Sequence, residues 1–163
     1  MPKPVIVAGA RTPVGKLLGA LSALPVVGLG GVAIRGALER AQVPGSQVDA
    51  VIMGNVVQAG AGPNPARLAA AAGGIPLAAP AVTVNKLCLS GIAAIAQAAQ
   101  QVAAGYSEVV VAGGMESMSN APYLVPGARR GLGYGGAMLP DALDQDALVC
   151  GFEGLSIDRK SVV

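Results

Sequence analysis

An α/β layered domain is the fold class predicted by this 163-residue sequence. Three features lead there. Short β-branched runs alternate along the chain with segments of helical period, the order expected of strand–helix–strand units with right-handed crossovers. Runs such as EVVVA at residues 108–112 are apolar throughout, as strands covered on both faces are. Glycine and proline punctuate nearly every junction.

Taken in order, residues 5–8 form a β-branched run ending at Gly9 and predict a first strand, broken by Arg11, Thr12 and Pro13. Over residues 30–41, Val32, Ala33, Ala37, Leu38 and Ala41 share one side of a helix while Arg35, Glu39 and Arg40 lie elsewhere. Pro44 and Gly45 close this amphipathic segment. Residues 49–57 predict a second strand. Asn64 and Pro65 then provide a cap and a first helical position, and Gly73-Gly74 ends that helix. Pro76 and Pro80 isolate a short strand at residues 81–84. In residues 89–104, Ile92, Ile95, Ala99 and Val102 keep helical spacing, alanine fills most other positions, and Gln97, Gln100 and Gln101 are the strongly polar members. A helix apolar on nearly every face is predicted to be buried. Gly105 ends it, and residues 108–112 form the last strand.

Composition excludes several classes of function. A net charge of +2, scattered basic residues, three tyrosines and one phenylalanine do not make a nucleic-acid surface. Alanine and valine raise the mean hydropathy to +0.59, but polar and helix-breaking residues interrupt every window that could span a bilayer. The N-terminus lacks the pattern of a secretory leader, and Cys88 and Cys150 cannot build a disulfide framework, so a cytoplasmic setting is expected. The chain has no histidine. It therefore lacks the commonest metal ligand and the usual base for a thiol, and no metal site is expected.

Cys88, in VNKLCLSG at residues 84–91, lies where a strand hands over to a helix. Unpaired N–H groups and the positive end of a helix dipole favour thiolate there. A free cysteine is as commonly a small buried hydrophobe, and local pattern supports both readings equally.

Four motifs extend the comparison: ARTPVGKLLGALS at residues 10–22, GNVVQAGAGPNPAR at 54–67, VNKLCLSG, and GGMESMSNAPYL at 113–124. In this order and spacing they resemble the N-terminal part of a thiolase, an acyl-CoA acyltransferase. The resemblance implies a thiolase-like layered fold: an N-terminal half-domain over residues 1–119, with a mixed or parallel sheet and a buried helix after the nucleophile. Residues 120–163 would open a loop domain over the pantetheine arm of coenzyme A. It also implies that Cys88 is the catalytic nucleophile, taking the acyl group as a thioester with its own N–H in the oxyanion hole. Substrates would be acyl-CoA and coenzyme A with no bound cofactor, and the partner a second copy or a thiolase C-terminal half.

Lys86 is read as a solvated side chain, Glu116 as a buried positioning group, Met115 and Met118 as core filler, and Cys150 as an incidental thiol. Asn64 and Arg67 resemble positions at the family's subunit contact, although Pro63 stands where glutamine is common. SIDRKSVV at the end departs from the family pattern and predicts a truncated or frame-changed terminus. Two functional classes follow: the acyl-accepting portion of a thiolase, or a non-catalytic half-fold kept for assembly, favoured by the absence of histidine. A ketoacyl-synthase relative is a close variant, and GGMESMSNAPY argues against it.

Overall fold

The computed structural model describes residues 3–157. Three helices, α1 (Val26–Ala41), α2 (Pro65–Ala72) and α3 (Ser90–Ala103), accompany three strands, β1 (Ala50–Gly54), β2 (Ala81–Val84) and β3 (Val110–Gly114). The sheet is parallel throughout, in the order β2-β1-β3. Gly54 at the end of β1 stands opposite both Val84 and Gly114, so the three carboxyl ends are level.

The two-residue period of β1 sorts its side chains between two layers. Val51 and Met53 pack with Val26, Ile34, Ala66, Ala69 and Ala70 of α1 and α2. Ile52 packs on the opposite face with Ala94 and Ala98 of α3. All five residues of β1, the middle strand, are buried, whereas β3, predicted over residues 108–112 as a strand covered on both faces, runs from Val110 to Gly114 at the edge of the sheet and is only half-buried, because an edge strand has a neighbour on one side alone. Between α1 and α2 the helices approach closely: a Cβ on Gly31 would meet the Cβ of Ala72 at 2.7 Å. The buried face of α1 is Val26, Gly30, Gly31 and Ile34, rotated from the predicted stripe, and Val32 is exposed. Glycines supply that contact by lacking a side chain, which a count of apolar side chains does not register. The helix also starts four residues before the predicted position, directly after Pro25.

The predicted ends of α2, β2 and α3 agree with the structure within a residue. Asn64 Oδ1 accepts from the Arg67 N–H at 3.3 Å, and Gly105 (φ +75°) follows α3 in the left-handed region. Asn64 also fastens α2 to β2, accepting from Thr83 Oγ1 at 2.7 Å and donating to the Ala81 carbonyl at 3.0 Å. The second strand is shorter than predicted, ending at Gly54, while at its start the Asp49 N–H donates to the Val109 carbonyl at 2.9 Å and the Asp49 carboxylate accepts from the N–H groups of Glu108 and Val109.

Two further expectations are corrected. Residues 5–8 join no strand, and Val5, Ile6 and Val7 are 75%, 84% and 71% exposed. An extended run needs a neighbouring backbone to pair with. Instead, Arg40 Nη1 donates to the Gly9 carbonyl at 2.7 Å and Ala10 lies against Gly36, which holds the end of this run along α1. Helix α3, predicted to be buried all round, buries Ser90, Ala94 and Ala98 only, while Ile92 and Ile95 are exposed. One sheet covers one face, and no further layer of the described chain covers the other. Residues 121–157 contribute short turns at Ala128–Arg130 and Asp144–Leu148 and no strand of the sheet. Most of the predicted departure in SIDRKSVV lies outside the described residues.

Candidate active site

Parallel strands with level ends gather the residues that follow them at one edge of the layer, where ligands of open α/β sheets bind. Asn55 follows β1, residues 85–88 follow β2, and Glu116 follows β3. Cys88 therefore lies at the carboxyl end of the sheet, two residues before α3, and is exposed. The small buried hydrophobe that local pattern also allowed is not what the fold makes of it.

The turn carrying Cys88 is held by its neighbours. Lys86 N–H donates to Ser90 Oγ at 2.8 Å, and Ser90 Oγ donates to the Leu87 carbonyl at 2.6 Å. The N–H groups of Leu89 and Ser90 donate to the carbonyls of Lys86 and Leu87. Leu87 sits at φ +49°, a left-handed conformation that a leucine rarely adopts. The N–H groups of Gly91 and Ile92, in the first turn of α3, donate to no acceptor among the described residues. They are the free donors that the sequence predicts at this helix start.

Close approach of α3 to the strand ends requires glycine. A Cβ on Gly54 would fall 2.6 Å from the Ser90 carbonyl carbon. The junction is thus built backbone to backbone, with Ser90 buried in it.

Glu116 anchors the loop after β1. Its carboxylate accepts from Asn55 Nδ2 at 2.7 Å, from Val56 N–H at 2.8 Å and from Val57 N–H at 3.3 Å. Burial pushes this carboxyl above its ordinary value, outweighing the opposing pull of the Val56 and Val57 amides and the Asn55 side chain. Asn55, fully buried, also donates to the Met115 carbonyl, while its Oδ1 has no hydrogen-bond partner among the described residues.

Other predicted residues fall where their neighbours place them. Lys86 is exposed. Met115 is core, packed against Gly30, whereas Met118 is 43% exposed, because it follows the strand by one turn more. Arg67 donates to the carbonyls of Leu77 and Ala79 within this chain. Cys150 is half-buried and forms no disulfide. The importance of Asn55 and Asn85 was not read from the sequence. Its one available signal was the position of each asparagine directly after a parallel strand.

A cleft of about 420 Å³ lies between residues 10–22 and Gly114 to Ser119, lined by Arg11, Lys16 and Glu116 among others. No group of three metal-capable side chains occurs among the described residues, and no helix there is long and apolar enough to cross a membrane.

Residues 4–158 match the family profile described as "Thiolase, N-terminal domain". A probable acetyl-CoA acetyltransferase of Mycolicibacterium smegmatis is 58% identical over 144 residues, covering 88% of this chain and 37% of the relative. The acetyl-CoA acetyltransferase of Cupriavidus necator is 51% identical, with the same coverage. The mitochondrial acetyl-CoA acetyltransferase of Rattus norvegicus is 48% identical, covering 88% of this chain and 34% of the relative. The chain spans little more than a third of the length of these relatives. With the motif order, the parallel sheet and a profile match over nearly its whole length in agreement, this chain belongs to the thiolase family and corresponds to its N-terminal domain.

Proposed function

We propose that the chain supplies the acyl-accepting portion of a thiolase-type acyltransferase, with Cys88 as the nucleophile and acyl-CoA as the donor. The observation that carries this reading is the exposed Cys88 thiol at the level carboxyl ends of the sheet, one turn from the free N–H groups of Gly91 and Ile92. The thiolate sulfur attacks the thioester carbonyl, coenzyme A leaves as its thiolate, and the acyl group stays on Cys88 as a new thioester. Donors at the helix start favour the negative charge that develops on the carbonyl oxygen. Relatives named acetyl-CoA acetyltransferase support a short acyl group.

Carbon–carbon bond formation, or its thiolytic reversal, further requires a base at the α-carbon of the second substrate. The chain has no histidine to serve, and the relatives extend well beyond the region matched. The base accordingly comes from elsewhere, and the working unit is an oligomer or a pairing with a thiolase C-terminal half, in a cytoplasmic setting. The division into residues 1–119 and 120–163 is part of the same proposal, supported by the end of the last sheet strand at Gly114.

Radiolabelled acetyl-CoA, followed by gel separation and peptide mapping, tests the reading. Slow label on Cys88, lost in Cys88→Ala, is expected, together with no turnover of acetoacetyl-CoA by the 163-residue chain. A folded chain that takes no label, alone or with a thiolase C-terminal half added, would leave assembly as its role. Multiple turnovers by the pure chain would require a base within it.

A further inference from the structure

We propose that Asn85 is a positioning residue for Cys88, holding Leu87 in its left-handed conformation and tying that turn to the loop after β1. This rests on Cys88 being the nucleophile. Asn85 Oδ1 accepts from the Leu87 N–H at 3.0 Å, a bond across two residues that closes the turn, while its Nδ2 donates to the Val56 carbonyl at 3.3 Å. The next peptide group back, at the Val56 N–H, is held by Glu116 Oε2 at 2.8 Å. One line of bonds therefore runs from Glu116 after β3, through Val56 after β1 and Asn85 after β2, to the residue preceding Cys88. Each strand end contributes one member.

The reason such a device is needed lies at Leu87. A non-glycine residue at φ +49° is disfavoured by roughly tenfold, and such conformations persist where surrounding bonds over-determine them. Ser90 grips the turn from its far side through the Leu87 carbonyl and the Lys86 N–H. Asn85 grips the near side, at the Leu87 N–H itself. Without it the peptide before Cys88 returns to the ordinary region, and the Cys88 N–H and thiol leave the direction set by α3.

The test measures alkylation of Cys88 by iodoacetamide in the 163-residue chain, with Cys150 as internal reference and thermal melting as the control for folding. Asn85 is exposed, so Asn85→Ala removes both bonds without opening the core. It is expected to slow Cys88 by about tenfold, the factor that returns when the left-handed conformer is no longer held. Glycine adopts that conformation without penalty, so Leu87→Gly added to Asn85→Ala is expected to recover most of the rate although it lowers the melting temperature further. A stability effect alone would not be rescued in this way. A folded Asn85→Ala variant with wild-type Cys88 reactivity, or a slow variant that Leu87→Gly fails to restore, overturns the role of Asn85 and leaves the nucleophile reading intact. If Cys88 in the unmodified chain reacts no faster than Cys150, the nucleophile reading fails first and this role with it.

Discussion

At Cys88 the thiol is exposed while Ser90, two residues on, is 4% exposed, because the helix start turns its serine into the sheet and leaves the preceding turn outside. Exposure beside free helix donors is the environment of a reactive cysteine. Iodoacetamide is therefore expected to modify Cys88 faster than Cys150 at neutral pH in the folded chain, as read by peptide mass spectrometry, and equal rates would count against the assignment. Asp49 and Glu116, both with displaced titrations, act in opposite senses. Amides of Val109 and Glu108 hold the Asp49 carboxyl below its ordinary 3.8. A lowered folded value means that its contribution is present above that pH and lost as pH falls through the lower folded value. Burial raises Glu116 above 4.5, so its contribution is fully present below that pH and is lost as pH rises through the higher folded value. Thermal melts across this range should show Asp49→Asn losing the decline at the acid end. The advantage of wild type over Glu116→Gln should shrink as pH rises from about 4.5.

Among the elements, the contact of α3 with the ends of β1 and β3 decides whether the site exists. Gly54 and Gly91 keep that approach close: Gly91 lies 3.4 Å from the place a Cβ on Gly114 would occupy. At Gly54 a Cβ would strike backbone, which cannot swing aside as a flexible side chain can. Gly54→Ala is expected to cost about 1–3 kcal/mol through overpacking, a fall of roughly 2–4 °C in melting temperature for each kcal/mol in a chain of this size. An unchanged melting temperature would show that α3 shifts freely. Helices α1 and α2 meet by the same device, but on the face away from Cys88, where Gly31 lies against Ala72.

The whole molecule shows more surface than its mass warrants. A compact protein of 15.9 kDa exposes about 7,400 Å², whereas this chain exposes 10600 Å². Much of the excess is apolar: Val5, Ile6 and Val7 in the unpaired N-terminal run, Ile92 and Ile95 on the outer face of α3, and Phe152 at 99%. Exposed apolar side chains, where they gather into patches, drive association. The isolated chain is expected to dimerise or aggregate and to bind a hydrophobic dye, measured by sedimentation velocity and dye fluorescence. A stable monomer silent to the dye would contradict this.

By itself the sequence determined the alternation of strands and helices, the cap at Asn64, the ends of α2 and α3, and the place of Cys88 at a strand–helix junction. These are local matters, set by hydrophobic period, capping chemistry and the conformations open to glycine and proline. What needed the tertiary structure was every property that depends on a partner. Residues 5–8 have the pattern of a strand, but pairing requires a second backbone. Helix α3 has an apolar outer face, but burial requires a covering layer. Asn85 and Asn55 are ordinary polar residues until three level strand ends bring Val56, Leu87 and Glu116 within hydrogen-bonding distance of them. Periodicity along a chain reports which face a side chain occupies, whereas only packing decides what stands opposite that face.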